Sequence, residues 1–520
     1  MSKRVTIAVI LIIAACLGAC SKKEPAHDFS VSYERSSLNF PSEGGQLYVN
    51  LKWSACKILV STDADFLQPS PLNVGILEGE GSTDITFVLA PTKEYSPRQA
   101  KIIFTLTDPE SFAFTKELVI TQDGLPVLQN TVKVDDGATY QSWDGFGAMN
   151  LGTDWKRTTD WSESEADVLL GDMGISIMRI RIPYDDSRWR ALADECSYAY
   201  RKYGTRILAT PWSMPKDMKT PQQTEAKKDG VTSSLMPECY ERYALYLERF
   251  ATFMKDHGAP LAAISVQNEP DYAATYDGCV WSAAQHLSFI RDYGHLIKSA
   301  DLVTGESMNF RQSFYQPVLQ DAKACGNIDI VGGHLYGAVP VTFSLAAEKG
   351  KRIWMTEHLL NDSWEDGTEP WEETLQMLSE IHGCITSGWN AYIWWYGCRY
   401  YSLVGDGDGG TVRGKILQRG YAYSQYSKFI RPGDVRLGVT VLSPDNLLAC
   451  AFKGEDGCKV VLVNTGKALQ EITLAGVSSA HASATYTSRE ANVADLPLEV
   501  GGSSVLKFSI PGESVATVVY

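Results

Sequence analysis

The chain has no CxxC pair, no HExxH helix, no GxSxG elbow and no block rich in lysine and arginine, and each absence removes a class of function. Without cysteines at metal-ligand spacing there is no zinc site to expect. Without HExxH, an elbow or a Ser-His-Asp order, metalloprotease and serine-hydrolase chemistry have no anchor. The 47 basic residues are outnumbered by 62 acidic ones, a formal net charge of −15, which argues against a polyanionic partner such as nucleic acid. Two of the eleven cysteines fall within the first twenty residues; the other nine are too scattered for a dense disulfide scaffold, and most read as small buried hydrophobes.

What is present is an ordinary globular composition, 44% apolar and 21% charged over 520 residues, enough for two or three cores. The opening MSKRVTIAVILIIAACLGAC has two basic residues, a short apolar run and small residues before a cysteine, which reads as a secretory signal peptide. Its last four residues, Leu17-Gly18-Ala19-Cys20, resemble a bacterial lipobox, with Cys16 as the alternative site. The expectation is a leader over residues 1–19, lipidation at Cys20 and a polar tether over 20–27. That implies a membrane lipid anchor and an outer-membrane lipoprotein, at the cell surface or on the periplasmic face.

From residue 28 to 124, short alternating runs broken by turn residues (LNFPSEGGQLYVNLKW, STDITFVLAP, RQAKIIFTLTD, TKELVITQDG) have the rhythm of a small all-β sandwich. Its SLNFPSEGGQLYV opening and LVITQDG close resemble the BACON module of surface glycan-degrading proteins, which implies a spacer or a weak sugar binder. The rhythm then changes to apolar strands alternating with helical patterns. Eight strands are expected, at 142–149, 175–182, 206–212, 261–267, 302–307, 328–336, 352–357 and 391–396. Between the third and fourth, PECYERYALYLERFATFMKDHG carries Tyr243, Leu247, Phe250 and Met254 at helical spacing. Eight strand and helix units over residues 125–430 fit an α/β fold of the (β/α)8 TIM-barrel type, whose chemistry lies at the C-terminal ends of its strands. The GFGAMN after the first turn lacks the phosphate-binding form that a doubly wound sheet would show. Alternation returns over 431–520 as a second β-sandwich with no linker before it.

Two carboxylates are placed at strand ends: Glu269, in LAAISVQNEP, closes the fourth strand and Glu357, in RIWMTEH, closes the seventh. A carboxylate at the end of an apolar strand costs free energy unless it has partners or a task. Two facing carboxyls are what glycoside hydrolysis needs, one to protonate the leaving oxygen and one as nucleophile or base. Asn268, beside the first, is suited to hold a sugar 2-hydroxyl. Glu306, ending the fifth strand, reads as a structural partner for an arginine. Arg179 and Arg181 alternate onto one strand face and are expected to line the barrel interior near Glu357. Trp212, Tyr336, Trp394 and Trp395 sit where aromatic faces stack on sugars, but adjacent tryptophans cannot both face inward. His334 and His358 lie at the same rim without a third ligand at suitable spacing, so no metal and no other cofactor is expected.

The pieces DGFGAMN, MRIRI, TPWSMPKDMK, SVQNEPDY with YDGCVW, GGHLYG, WMTEH, WWYGCRYYS and QYSKFIRPG together resemble glycoside hydrolase family 30 over about 127–520. The resemblance implies a retaining hydrolase with Glu269 as acid/base and Glu357 as nucleophile. Within the family, WNAYIWWYGCRYYSLVGDGDGGTVRG is most similar to endo-β-1,4-xylanases that recognise a methylglucuronate branch, which implies that Arg399, with Tyr396 and Tyr401, holds a uronate carboxylate. Two departures stand out: Cys398 where a second basic residue is common, and a lengthened GDGDGGTVRG loop. A rim salt bridge is the alternative for Arg399. The expected substrate is xylan or glucuronoxylan, acted on by a monomer. A β-1,6-glucanase or other β-glycosidase of the same scaffold, and a non-catalytic surface glycan-binding lipoprotein, are the competing readings.

Overall fold

The computed structural model describes residues 28–33, 35–70, 76–107, 113–151, 161–361, 369–443, 446–477, 481–502 and 504–520. The leader, the tether and Cys20 lie outside the described residues. The chain divides into two compact units, one running to Leu128 and including Lys467–Leu469, the other comprising Gln129–Gly466 and Gln470–Tyr520.

The first unit is all β. One sheet runs in the order Asp28–Tyr33, Gly45–Ser54, Gly81–Leu89, Leu67–Ser70, and the second in the order Asn39–Phe40, Ala113–Gln122, Arg98–Thr107, Lys57–Thr62, Ile76–Leu77. Every second residue is buried, as in Ala100, Ile102, Phe104 and Leu106, which is the signature of strands with one wet face.

In the second unit, eight parallel strands close into a barrel: β1 Gly145–Asn150, β2 Ile177–Arg181, β3 Arg206–Thr210, β4 Ala263–Ser265, β5 Asp301–Val303, β6 Ile330–His334, β7 Arg352–Glu357 and β8 Ala391–Trp394. Six lie within their expected stretches, while β1 runs on to Asn150 and β5 starts at Asp301, each one residue outside. They read as apolar runs because both faces are covered. One face meets the helices, and the other meets the barrel axis through Ile177, Leu208, Ala263, Val303, Ile330, Trp354, Ala391 and Ile393. The helix expected from periodicity spans Tyr240–Asp256 and buries Tyr243, Leu247, Phe250 and Met254.

Beyond the barrel a β-sandwich of ten strands includes Val435–Val441, Leu447–Gly454, Gly457–Asn464 and Ser514–Val519. It packs on the barrel: Cys450, Phe452, Val461, Val463 and Val515 belong to the same core as the barrel helices, and Trp371 donates its indole N–H to the Glu513 carbonyl at 2.9 Å. One boundary needs correction. The strand Val127–Ser142, expected at the head of the barrel, pairs with Val435–Val441 in the sandwich. Its Asn130, Val132 and Val134 are buried alternately, a one-sided pattern that suits a sandwich and not a barrel strand covered on both faces.

Candidate active site

The C-terminal ends of the barrel strands converge on a buried cluster of three carboxylates and two cations. Arg179 follows Ile177 on the inward face of β2, one layer higher, and is fully buried. Its guanidinium donates to Glu357 Oε2 at 2.5 Å, to Glu306 Oε2 at 3.0 Å and to Asn268 Oδ1 at 2.7 Å. Glu306 therefore has the arginine partner expected of it. Burial pushes its carboxyl pKa up, but Arg179 and His334 outweigh burial and hold it at about 2.

His334, at the end of β6, faces all three carboxylates: Nδ1 lies 3.2 Å from Glu269 Oε1, and Nε2 lies 3.4 Å from Glu306 and 3.8 Å from Glu357. Burial alone would lower its pKa, but Glu357, Glu269 and Glu306 overcome it and raise it to about 9. The imidazole is thus a cation at neutral pH. Gly332, on the same strand, leaves room for the neighbouring strands, since a Cβ there would sit 2.6 Å from Val303 and 3.4 Å from Glu306.

Two local departures from regular strand geometry aim the outer carboxylates. On β7, Met355 pairs with Gly333 and Glu357 with His334, so Thr356 is an extra residue in the register. Strict alternation from the inward Trp354 would send Glu357 outward, and the bulge returns it to the axis. Glu269 has a φ of 46°, a left-handed conformation uncommon for a residue with a side chain, and its N–H is fixed by the Glu306 carbonyl at 2.9 Å. One carboxylate oxygen each of Glu269 and Glu357 lies within 4.8 Å of the other.

Tyrosines complete the contacts. Tyr336 donates to Glu357 Oε1 at 2.9 Å, and Tyr276 donates to Glu269 Oε2. Burial first, and the adjoining carboxylates second, raise both phenol pKa values, so both remain donors. The Asn268 amide nitrogen has no partner among the described residues, while its oxygen is held by Arg179.

Among the described residues Glu269, His334 and Glu357 are the one group with metal-ligand atoms this close together. They do not suit a divalent cation. Arg179 and Tyr336 already occupy the two oxygens of Glu357, and Tyr276 occupies one oxygen of Glu269.

Of the other expected site residues, Trp212 and Trp395 pack against each other with ring centroids 5.8 Å apart, and the Arg179 guanidinium sits 4.8 and 5.9 Å from them. Little of either ring is left to solvent, so they form a packed wall and not an open platform. Trp394 faces the helix layer instead, donating to Ser402 Oγ at 3.1 Å. Tyr396 stands 4.2 Å from Trp395, the Arg399 guanidinium 4.9 Å over the Tyr396 ring, and Tyr401 6.3 Å from Tyr396. Arg399 also faces Asp406 at 3.7 Å.

Two expectations are corrected. Arg181 does not reach Glu357; one layer further out than Arg179, it pairs with Asp277. His358 turns away to Glu380, 2.7 Å off, on the helix Trp371–Thr386. Sequence reasoning did not single out Tyr276, Asp277 or Asp406, nor His334 as the bridge between carboxylates. The first two lie in the quoted YDGCVW, but nothing local says that a tyrosine seven residues on returns to Glu269.

Comparison with known proteins gives concordant likenesses. Residues 433–518 match the model of the glycosyl hydrolase family 30 beta sandwich domain. Over 402 residues the chain is 32% identical to glucuronoxylanase XynC of Bacillus subtilis strain 168, covering 75% of this chain and 91% of that protein. The glycoside hydrolase family 30 subfamily 8 xylanase Xyn30A of Clostridium acetobutylicum superposes with a TM-score of 0.67 at 32% identity, covering 75% of this chain and 99% of that one. A GH30 endoxylanase of Clostridium papyrosolvens C71 gives 0.65 at 30% identity, over 75% and 99% of the two chains. An endo-β-1,6-glucanase at 18% identity and a TM-score of 0.56 shares the fold alone.

Proposed function

The chain belongs to glycoside hydrolase family 30 and is a glycosyl hydrolase, and from that premise we propose that it is a retaining endo-β-1,4-xylanase acting on glucuronoxylan. The observation that carries the mechanism is the approach of Glu269 and Glu357 oxygens to within 4.8 Å. Retaining enzymes hold their carboxyl groups roughly 5–5.5 Å apart, whereas inverting ones leave room for a water.

In the first step a Glu357 oxygen attacks the anomeric carbon while Glu269 delivers its proton to the departing glycosidic oxygen. In the second, Glu269 takes a proton from water, the water oxygen attacks the same carbon, and the bond to Glu357 breaks. The contacts of the two carboxyls support this division of labour: Arg179 sits on Glu357, while Tyr276 and His334 face Glu269. Arg179 and Tyr336 hold the two oxygens of Glu357, and the Asn268 amide is aimed to bind the sugar 2-hydroxyl as charge develops at the anomeric carbon. Trp212 and Trp395 wall the ring, and Arg399 with Tyr396 and Tyr401 forms the corner for a uronate branch.

The leader and Cys20 support export and lipid anchoring at the outer membrane, at the cell surface or on its periplasmic face, with the N-terminal sandwich as a spacer. Radiolabelled palmitate incorporated by the wild type and absent from Cys20→Ser tests the anchor.

The catalytic reading is tested by incubating the protein with glucuronoxylan and with unbranched xylan and analysing products by mass spectrometry. Xylo-oligosaccharides are expected, with the anomeric configuration retained by NMR, and a 2-deoxy-2-fluoro xylobioside with an activated leaving group should label Glu357. Full activity in both Glu269→Gln and Glu357→Gln would refute the assignment.

A further inference from the structure

The corner around Arg399 already contains its own carboxylate. Asp406, from the lengthened GDGDGG loop, lies with Oδ2 3.7 Å from the guanidinium, and both side chains are largely buried. Its other oxygen accepts the Asp408 N–H at 3.0 Å, so the carboxylate is fixed by its own loop. The loop in turn is closed by Gly414 N–H on the Gly405 carbonyl at 2.8 Å and by Gly405 N–H on the Lys415 carbonyl at 2.9 Å. Arg413, at its far end, is tied to the buried Glu165 at 3.2 Å.

Among the described residues the ion pairs of this corner are Arg399 with Asp406 and Arg413 with Glu165. A uronate arriving there meets a guanidinium that already faces a carboxylate of the protein. The 3.7 Å separation is too long for a hydrogen bond yet short enough for a strong Coulombic contact in a half-dry site, so Asp406 competes for the guanidinium without capping it.

We propose that Asp406 is a specificity-determining residue that stands in for the substrate carboxylate at Arg399, relaxing the demand for a uronate branch. This deepens the glucuronoxylanase reading and rests on it only for the identity of the backbone glycan. The wild type accordingly accepts unbranched xylan about as well as branched, and the isosteric Asp406→Asn makes it prefer the branched polymer. Asparagine keeps the acceptor for the Asp408 N–H while deleting the charge.

The test is twofold. The ratio of kcat/KM on glucuronoxylan to that on unbranched xylan should rise about tenfold in Asp406→Asn, and the double variant Asp406→Asn/Arg399→Gln should lose that gain. In parallel, calorimetric titration with methyl α-glucuronoside should show binding to Asp406→Asn about tenfold tighter than to the wild type. Equal ratios and equal binding, or a gain that survives without Arg399, overturn the proposal. If no xylan is cleaved by any variant, the xylanase reading falls, and the titration alone decides for or against Asp406. Thermal unfolding of each variant separates a lost fold from a changed preference.

Discussion

Arg179 and Arg399 are both buried arginines at the mouth of one barrel, and they are built on opposite principles. Arg179 stands on a strand, its two terminal nitrogens bonded to Glu357, Glu306 and Asn268 at 2.5 to 3.0 Å. Arg399 stands in a loop after β8, stacked on Tyr396 and facing one carboxylate at 3.7 Å. The first is over-determined by barrel register and by three side chains; the second is set by a loop that can vary without disturbing the strands. Chemistry common to a scaffold belongs on the first kind of support and substrate preference on the second.

The sharpest way to break the comparison is to remove what each arginine serves. Glu357→Gln should lower kcat by about 10⁴-fold or more, because the bond-forming atom is gone. Deletion of the Asp406 charge should leave kcat on unbranched xylan within about tenfold of wild type. Steady-state kinetics on the two variants decides.

Stability should divide the same way. Arg179→Gln leaves Glu306 and Glu357 buried without their counter-ion and is expected to cost about 3–5 kcal/mol in urea unfolding. Arg399→Gln loses the 3.7 Å pair with Asp406 and the contact with the Tyr396 ring, and should cost less than Arg179→Gln because one carboxylate, not two, is left without this counter-ion. Equal losses would mean that the loop is as deeply built into the fold as the strand.

A milder probe is pH. The His334 pKa is raised from its ordinary 6.5 to about 9, so its contribution to stability is complete below pH 6.5 and is lost as pH climbs through 9. Glu306 is lowered from 4.5 to about 2, so its contribution is complete above pH 4.5 and is lost as pH falls through 2. Together they place a plateau between pH 4.5 and 6.5. His334→Gln should flatten the alkaline decline seen by equilibrium unfolding, whereas Arg399→Gln should leave its shape unchanged.

How much of this was legible in the chain follows from the range of each interaction. Eight barrel strands could be read because burial on both faces writes a continuous apolar run between turn signals. The carboxylates at their ends could be read for the same reason, since an acid that stops such a run is conspicuous. Glu357 was found by position, although its inward direction depends on the bulge at Thr356, which alternation does not reveal. The bond from Tyr276 to Glu269, the three-way bridge of His334 and the contact of Asp406 with Arg399 join loops whose approach is decided by barrel closure. Arg181 was misplaced because alternation gives the face of a strand and not the height along it. The boundary at residue 125 failed because the partner of Val127–Ser142 lies at the other end of the barrel.

That last pairing has a temporal side. Asn130 bonds to the Ser443 carbonyl across 313 residues, so the strand that precedes the barrel waits for the whole barrel sequence before its neighbour exists. Until then Val132 and Val134 lack the neighbour that pairs with their strand in the finished fold. The sandwich therefore acts as a clasp, fastened last, that ties the two ends of the barrel together. Cutting the chain at residue 430 would not release a free-standing barrel; it would leave the clasp half made and its open edge available to another molecule.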